Sequence, residues 1–292
     1  MKKATGDIEM IEKNGKKIEF SCEVFPPKRN EDMYEIYKTL DELKLLSPDF
    51  ISVTYGAGGS NSKRTSTIAS YIENICEVQA LAHVTAAGVT PEKLADLMAE
   101  LKKKNVNRIL ALRGDKPRDM TEEQFKGRFY KHASDLIEEI NKDDFFRIAA
   151  ACYPEKHPEA TSVEEDIRFL KHKVDLGADD LISQMFFDND KYYRFLERLD
   201  AAGVNAVVHA GIMPITASKQ LGTSVSLSGS SVPTKLSNMI ARYSDDPESL
   251  RKAGIEYAIN QVEDLINHGV DGIHIYCMNK SDVTREIYEA VV

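Results

Sequence analysis

Cysteine is sparse: four residues, Cys22, Cys76, Cys152 and Cys277, lie far apart, and no two form a CxxC pair. That spacing supports neither a disulfide framework nor a structural zinc site, and a reducing cytosol is the simplest setting. Long apolar runs are missing as well. Nowhere does the chain reach the roughly 18 consecutive apolar residues that a membrane helix needs. The start, Met1-Lys2-Lys3-Ala4-Thr5-Gly6-Asp7, has no apolar stretch behind its lysines and does not read as a signal peptide. Positive charge is in deficit: 38 Lys and Arg against 47 Asp and Glu give a formal net charge of −9. This argues against nucleic-acid binding or anchoring to an anionic membrane, and leaves room for a local phosphate pocket. No linker, low-complexity tract or sequence repeat divides the 292 residues, and a chain of this length buries a core without covalent staples.

What is present is alternation. Short apolar runs occupy 19–25, 50–55, 78–84, 108–112, 147–153, 180–187, 206–213 and 272–278, each bounded by Gly, Pro or polar residues. Buried parallel strands read this way. Amphipathic stretches lie between them. Met33, Ile36, Tyr37, Leu40 and Leu43 recur at helical spacing. Leu94, Leu97, Met98 and Leu101 follow Thr90-Pro91, a cap and a first-turn proline. Ser162 to Glu165 has the capping-box pattern of a helix that ends near Gly177, and Ile255, Ile259, Val262 and Ile266 form a later stripe. Eight strands, nearly every one followed by a helix, predict an α/β fold of the (β/α)8 TIM barrel type. It is expected to form one domain over 1–292, with an N-terminal extension over 1–18. An extra helical segment over 214–271, including the Ser-rich patch 224–231, precedes the last strand, between barrel strands 7 and 8. A doubly wound open sheet is the alternative, because periodicity does not report closure. In a barrel, chemistry belongs where strands end and loops begin.

Several residues stand out against this frame. Glu23 is an acid inside an otherwise apolar strand; it is either a satisfied or solvent-facing carboxylate, or a general acid whose pKa burial raises. Tyr55-Gly56-Ala57-Gly58-Gly59-Ser60 resembles a dinucleotide loop, but Asn61 occupies the place of the last glycine, and no GxxxxGK loop exists, so a tight turn is the plain reading. Arg113-Gly114-Asp115 closes the fourth run as either a structural ion pair or a ligand contact. His83 and His157 have no partner at metal-ligand spacing, and no metal is expected. Tyr153-Pro154-Glu155-Lys156-His157-Pro158 reads as a stiff loop. Asp166 and Lys173 share a helix face, which by itself suggests only solvated charge. Gln184 is an amide near the middle of a predicted strand; buried, it needs partners, and it would suit either a structural role or the edge of a heterocycle.

Together these pieces resemble the methylenetetrahydrofolate reductase family. The resemblance is carried by Ser21-Cys22-Glu23-Val24-Phe25-Pro26-Pro27-Lys28, Ser52-Val53-Thr54-Tyr55-Gly56, Leu112-Arg113-Gly114-Asp115, Tyr153-Pro154-Glu155 with His157-Pro158-Glu159-Ala160, Gln184 with Phe186-Phe187-Asp188, Gly211-Ile212-Met213-Pro214-Ile215, and His274-Ile275-Tyr276. The motifs occur in family order from about residue 19 to about 280, nearly the whole chain. With the chain stopping after the barrel, the likeness is to the short bacterial form. It implies a cytoplasmic flavoprotein of one-carbon metabolism and methionine biosynthesis. Its barrel would hold FAD at the C-terminal strand ends and reduce 5,10-methylenetetrahydrofolate to 5-methyltetrahydrofolate, with NADH reducing the flavin first. By the same matching, Glu23 is the general acid, Asp115 an acid beside flavin and pterin, and Gln184 the pterin-binding amide. Thr54, His83, Arg113, Gly114, Asp115, Tyr153, His157, Asp166, Lys173 and Tyr276 would line the flavin site. Assembly with itself or in a hetero-complex is implied too.

Departures from the family pattern fall on one side of this scheme. Phe169 and His172 replace an Asn and an Arg common on the flavin helix, His132 stands for a tyrosine (with Tyr130 close by), and Ala210 replaces a proline. Ser218 replaces an aromatic that stacks on nicotinamide and folate. These changes spare the folate side and erode the nicotinamide side. The expectation is that NADH is used poorly, or that electrons arrive through a partner protein. The alternative is a flavin- or folate-binding subunit that is inactive alone within a complex. A barrel lyase or aldolase, suggested by fold only, would want a Schiff-base lysine or a metal cluster.

Overall fold

The computed structural model describes residues 11–27, 29, 32–55, 62–117 and 120–292; the glycine-rich stretch 56–60, Asn61, Lys28 and residues 1–10 discussed above lie outside these. A small hairpin comes first, β1 (Glu12–Lys13) and β2 (Lys16–Lys17). Asn14 and Gly15 turn it, both with φ in the left-handed region (54° and 75°), as a tight two-residue hairpin turn demands.

The remaining strands are β3 (Glu19–Val24), β4 (Phe50–Val53), β5 (Gln79–Thr85), β6 (Arg108–Leu112), β7 (Arg147–Cys152), β8 (Ala178–Ser183), β9 (Val207–Ile212) and β10 (Gly272–Tyr276). They form a closed barrel in the order β10-β3-β4-β5-β6-β7-β8-β9. Gly272 pairs in parallel with Glu19 on one side and His209 on the other, which closes the ring and excludes the open sheet. Between strands run α1 (Met33–Leu43), α2 (Ser62–Asn74), α3 (Pro91–Lys103), α4 (Glu122–Lys126), α5 (Ala133–Ile140), α6 (Val163–Asp175) and α7 (Asn189–Ala201). Three helices, α8 (Ser218–Ser228), α9 (Thr234–Arg242) and α10 (Pro247–Asn267), separate β9 from β10, and α11 (Ser281–Val291) follows. Gly254 lets α10 lie against the chain after β9: a Cβ there would meet the Ile215 carbonyl at 1.8 Å.

Caps appear where the sequence places them. Thr90 accepts from the Lys93 N–H ahead of Pro91. Ser162 accepts from the Glu165 N–H at 3.1 Å, but the reverse arm of the box is absent: the Glu165 carboxylate takes Thr161 N–H and O–H instead, both at 2.6 Å. One strand boundary differs from expectation. β8 starts at Ala178 and stops at Ser183, so Gln184 sits just past its end rather than near its middle. The apolar run continues for another reason. Phe186 stacks on Tyr192 at 4.8 Å, and Met185 and Phe187 pack with Met213, Ile215 and Leu236 beneath the extra helices.

Strand alternation sorts the side chains into two cores. One set (Cys22, Val24, Ile51, Val53, Ala80, Ala82, Val84, Ile109) packs outward with helix residues such as Ile36, Leu40, Ile68 and Leu101. The other points inward, where Phe50, Leu81, Leu110, Ala149 and Ile182 form a small apolar layer. Polar residues lie on both sides of that layer. Toward the strand starts, the buried Arg108 guanidinium sits 4.5 Å from the Phe50 ring centre, pairs with buried Asp180 and donates to Gln79 at 3.0 Å. Arg108→Met leaves Asp180 a buried charge without its partner and is expected to cost about 3–5 kcal/mol in denaturant unfolding. Pairing it with Asp180→Leu should recover most of that loss; equal instability of the single and double variants would contradict this assignment.

Candidate functional site

The inward positions of β3, β4, β5 and β10 converge at the C-terminal half of the barrel. Register places Glu23 beside Ser52 on one side and Tyr276 on the other. His83 Nε2 approaches Glu23 Oε2 to 3.4 Å without a hydrogen-bond alignment, and His274 Nε2 stands 4.0 Å from the same oxygen. Burial raises the Glu23 pKa, against smaller lowering by His83 and by a hydrogen bond from Ser52. Its side chain keeps 19% of its surface accessible. Burial holds both imidazoles neutral, with pKa values pushed down to about 4 for His83 and about 3 for His274. Among the described residues no cation faces this carboxyl to stabilise its ionised form, so burial shifts it toward the acid.

Tyr276 donates to the Ser183 carbonyl at 2.7 Å, which ties the Glu23 group to the end of β8. Gly211 permits this: a Cβ there would meet Ser183 O at 2.2 Å and the Tyr276 ring at 2.8 Å. Beside them Gln184 donates its N–H to Cys152 O at 2.7 Å, and its side-chain Oε1 accepts from Met185 N–H at 2.9 Å. With Oε1 engaged, the amide NH2 is left as a donor with no hydrogen bond among the described residues. Tyr153, Gln184, Ser228 and Ser230 line a recess of about 10 Å³.

A second group gathers after β6 and β7. Arg113 pairs with Glu159. Tyr153 meets His157 edge to face at 4.6 Å, and burial pushes its phenol up to about 12. His157 donates its backbone N–H to Asp166 at 2.9 Å, and Lys173 donates to the Ala151 carbonyl at 2.6 Å. Burial lowers the Lys173 pKa. Gly114 adopts φ +75°, and its turn leaves Asp115 exposed. Thr54, half-buried, donates its N–H to the Val24 carbonyl at 3.0 Å at the end of β4.

The predicted residues thus form two connected groups: Glu23, His83 and Tyr276 inside the mouth, and Arg113, Tyr153, His157, Asp166 and Lys173 beside it, with Gln184 between. Phe169, His172 and Ser218 are exposed. His132 is exposed at the start of α5, whereas Tyr130 is buried with a hydroxyl that has no partner among the described residues. Ser21, Ser52 and His274 were not singled out from sequence, although an inward-facing period of two (21 and 23, 274 and 276) was there to find. A larger cavity, about 500 Å³, opens at the opposite end among Glu19, Gln79, Arg108 and Asp180. Those are strand starts, the face that in such barrels serves stability.

His209, fully buried, also has its pKa pushed down to about 4 by burial, and neither ring nitrogen has a hydrogen-bond partner among the described residues. From the ordinary 6.5 down to about 4, such an imidazole binds a proton only when unfolded, so stability is full above about pH 6.5 and declines as pH falls. Glu19 and Glu23, both raised, act in the opposite sense. Replacing His209 by Asn is therefore expected to make the acid-side decline shallower, approaching about 1.4 kcal/mol per pH unit. Parallel profiles in unfolding titrations from pH 8 to 5 would contradict a neutral buried imidazole.

Comparison with known proteins adds the family. The model for "Methylenetetrahydrofolate reductase" matches residues 8–292. A 5,10-methylenetetrahydrofolate reductase of Pectobacterium carotovorum is 34% identical over 272 residues, covering 93% of this chain and 89% of that protein. The Escherichia coli K12 enzyme of the same name is 33% identical, with 92% and 89% covered. A longer Arabidopsis thaliana relative, "Methylenetetrahydrofolate reductase (NADH) 1", is 30% identical, and only 48% of its length is matched. Among solved structures, an uncharacterized Clostridium thermocellum protein that binds two copies of 5-methyl-5,6,7,8-tetrahydrofolic acid superposes with a TM-score of 0.64 at 14% identity, over 94% of this chain and 93% of that one. That likeness shows the fold. Among the described residues, no helix is long and apolar enough to cross a membrane.

Proposed function

The chain belongs to the methylenetetrahydrofolate reductase family, and from that premise we propose that it converts 5,10-methylenetetrahydrofolate to 5-methyltetrahydrofolate with FAD as hydride source and Glu23 as proton donor. The observation that carries the reading is the Glu23 carboxyl, raised by burial and set between two neutral imidazoles at the barrel mouth. The bridging methylene of the substrate is a poor hydride acceptor until its ring opens. A proton delivered by Glu23 to N10 opens it to a 5-iminium cation, which accepts hydride readily.

The donor set suits a flavin dinucleotide. Lys173 spends one hydrogen on the Ala151 carbonyl and keeps others for a diphosphate, and Arg113 adds a second cation. His83 Nε2 is buried and without a hydrogen bond among the described residues. Thr54, Tyr153, His157, Asp166 and Tyr276 complete the lining. Bound there, the flavin supplies the hydride. Gln184 offers its NH2 to the pterin edge, and the Asp115 charge favours the cationic folate.

Glu23→Gln keeps the shape and removes the proton. Folate reduction is expected to fall by about 10²–10⁴-fold, while reduction of the flavin by its electron donor persists. Equal loss of both half-reactions would reject the assignment. The protein as purified, or after addition of FAD, is expected to show a flavin absorption spectrum; a protein that stays colourless would favour the lyase reading.

A second reading concerns the electron donor. Ser218, exposed at the start of α8, has no π-face, and no residue of that helix is aromatic. We propose that NADH alone reduces the flavin poorly and that a partner protein delivers electrons. In stopped flow, NADH should bleach the flavin slowly; rapid bleaching without any partner would overturn this.

A further inference from the structure

Past the end of β8 the backbone has no ladder to join, yet Met185, Phe186 and Phe187 stay buried. Buried carbonyls without partners are costly, and here each one from Ser183 to Phe187 accepts from a side chain. Tyr276 Oη donates to Ser183 O at 2.7 Å, and Ser183 Oγ to Gln184 O at 3.1 Å. Ser230 Oγ donates to Met185 O at 2.5 Å, Gln261 Nε2 to Phe186 O at 3.0 Å, and Tyr257 Oη to Phe187 O at 2.6 Å. A carbonyl oxygen only accepts, so the direction of every bond is fixed. Gln184 hangs from this row, its N–H on Cys152 O and its Oε1 on the Met185 N–H. Ser230, Tyr257 and Gln261 all come from the segment between β9 and β10. Ser230 follows Gly229, the left-handed residue that ends α8, and Tyr257 and Gln261 lie one turn apart on α10.

We propose that the helices inserted between β9 and β10 serve to aim Gln184: Ser230, Tyr257 and Gln261 fix the 185–187 backbone and so hold the Gln184 amide toward the substrate. They are positioning residues, and the proposal rests on the reading of Gln184 as the amide that meets the pterin. A side chain carried on irregular backbone is placed well only when the surrounding shell holds that backbone. Apolar packing alone would hold it loosely. Met185 and Phe187 seat among Met213, Ile215 and Leu236, contacts without direction. Hydrogen bonds at successive carbonyls add direction, because a shift of the segment leaves buried oxygens unpaired. The far end is tied to the same helix: Asn189 Nδ2, at the start of α7, donates to Gln261 O at 3.0 Å and to Asp264 at 2.7 Å. Ser230 also lines the recess shared by Gln184 and Tyr153, so the inserted segment reaches the site itself.

Two measurements test this. Tyr257→Phe keeps the ring and removes one donor; Ser230→Ala removes another. The Met185 amide hydrogen, bonded to Gln184 Oε1, reports where the Gln184 side chain sits. Its exchange with solvent deuterium is expected to speed up by about tenfold in either variant, while amides of β4 and β5 across the barrel keep their wild-type rates. Unchanged Met185 exchange, or equal acceleration in β4 and β5, overturns the proposal. Calorimetry on the FAD-loaded protein, with 5-methyltetrahydrofolate as the probe, reads the consequence. Tyr257→Phe should weaken binding by about tenfold, the scale of one hydrogen bond, and should weaken it no further in a Gln184→Ala background. Equal losses in both backgrounds overturn the proposal, because the helices would then act without Gln184. Wild-type binding by Gln184→Ala alone would sink the reading of Gln184 as a substrate contact; Met185 exchange, which involves no ligand, would still decide whether the helices place its side chain.

Discussion

A carboxyl group inside a strand barrel costs more as an anion than as an acid, because the wall offers few dipoles to replace lost water. Glu23 meets that condition on β3, flanked by His83 and His274, which are themselves too buried to take a proton. The proposed role of Glu23 depends on this exclusion of charge. A group that keeps its proton near neutral pH can hand it to a weakly basic nitrogen, which an ordinary surface glutamate cannot do.

The fold creates the condition through simple alternation. Each barrel strand sends its apolar side chains outward to the helices and the other set inward, so a polar interior costs the outer core nothing. The inner apolar layer around Phe50 separates two polar ends with different tasks. Near the strand starts, Arg108 and Asp180 neutralise each other. At the strand ends, no cation among the described residues stands against Glu23, and the cationic side chains Arg113 and Lys173 are displaced to the end of β6 and to α6, where an anionic cofactor would draw on them. Under the proposed function, that separation would let one mouth hold both a proton donor and an anionic cofactor.

Much of this was legible in the residues. The eight strands announced themselves because each is a short apolar run between breakers, and Thr90-Pro91 and Ser162 marked helix starts by their hydrogen-bonding chemistry. Closure was not legible, since it depends on Gly272 meeting both Glu19 and His209 from far along the chain. Gln184 was drawn into a strand because Met185-Phe186-Phe187 stays apolar, and that apolarity serves packing under the extra helices instead. The Asn14-Gly15 turn carried a hairpin signal, but strands of two charged residues gave no periodicity to support it. Residue roles came from resemblance to a family rather than from pattern. Ser21 and Ser52 entered only as parts of longer motifs, because a serine in a strand looks the same in sequence whatever it bonds; the register of β3, β4 and β10 is what brings them beside Glu23 and His274.

Infrared difference spectroscopy addresses the state of the carboxyl without any substrate turnover. Subtracting the Glu23→Gln spectrum from that of the wild-type protein at neutral pH should leave a protonated carboxyl C=O band that shifts in heavy water. A carboxylate band in its place would mean that the barrel stabilises the anion, and residue 23 could not then serve as the acid.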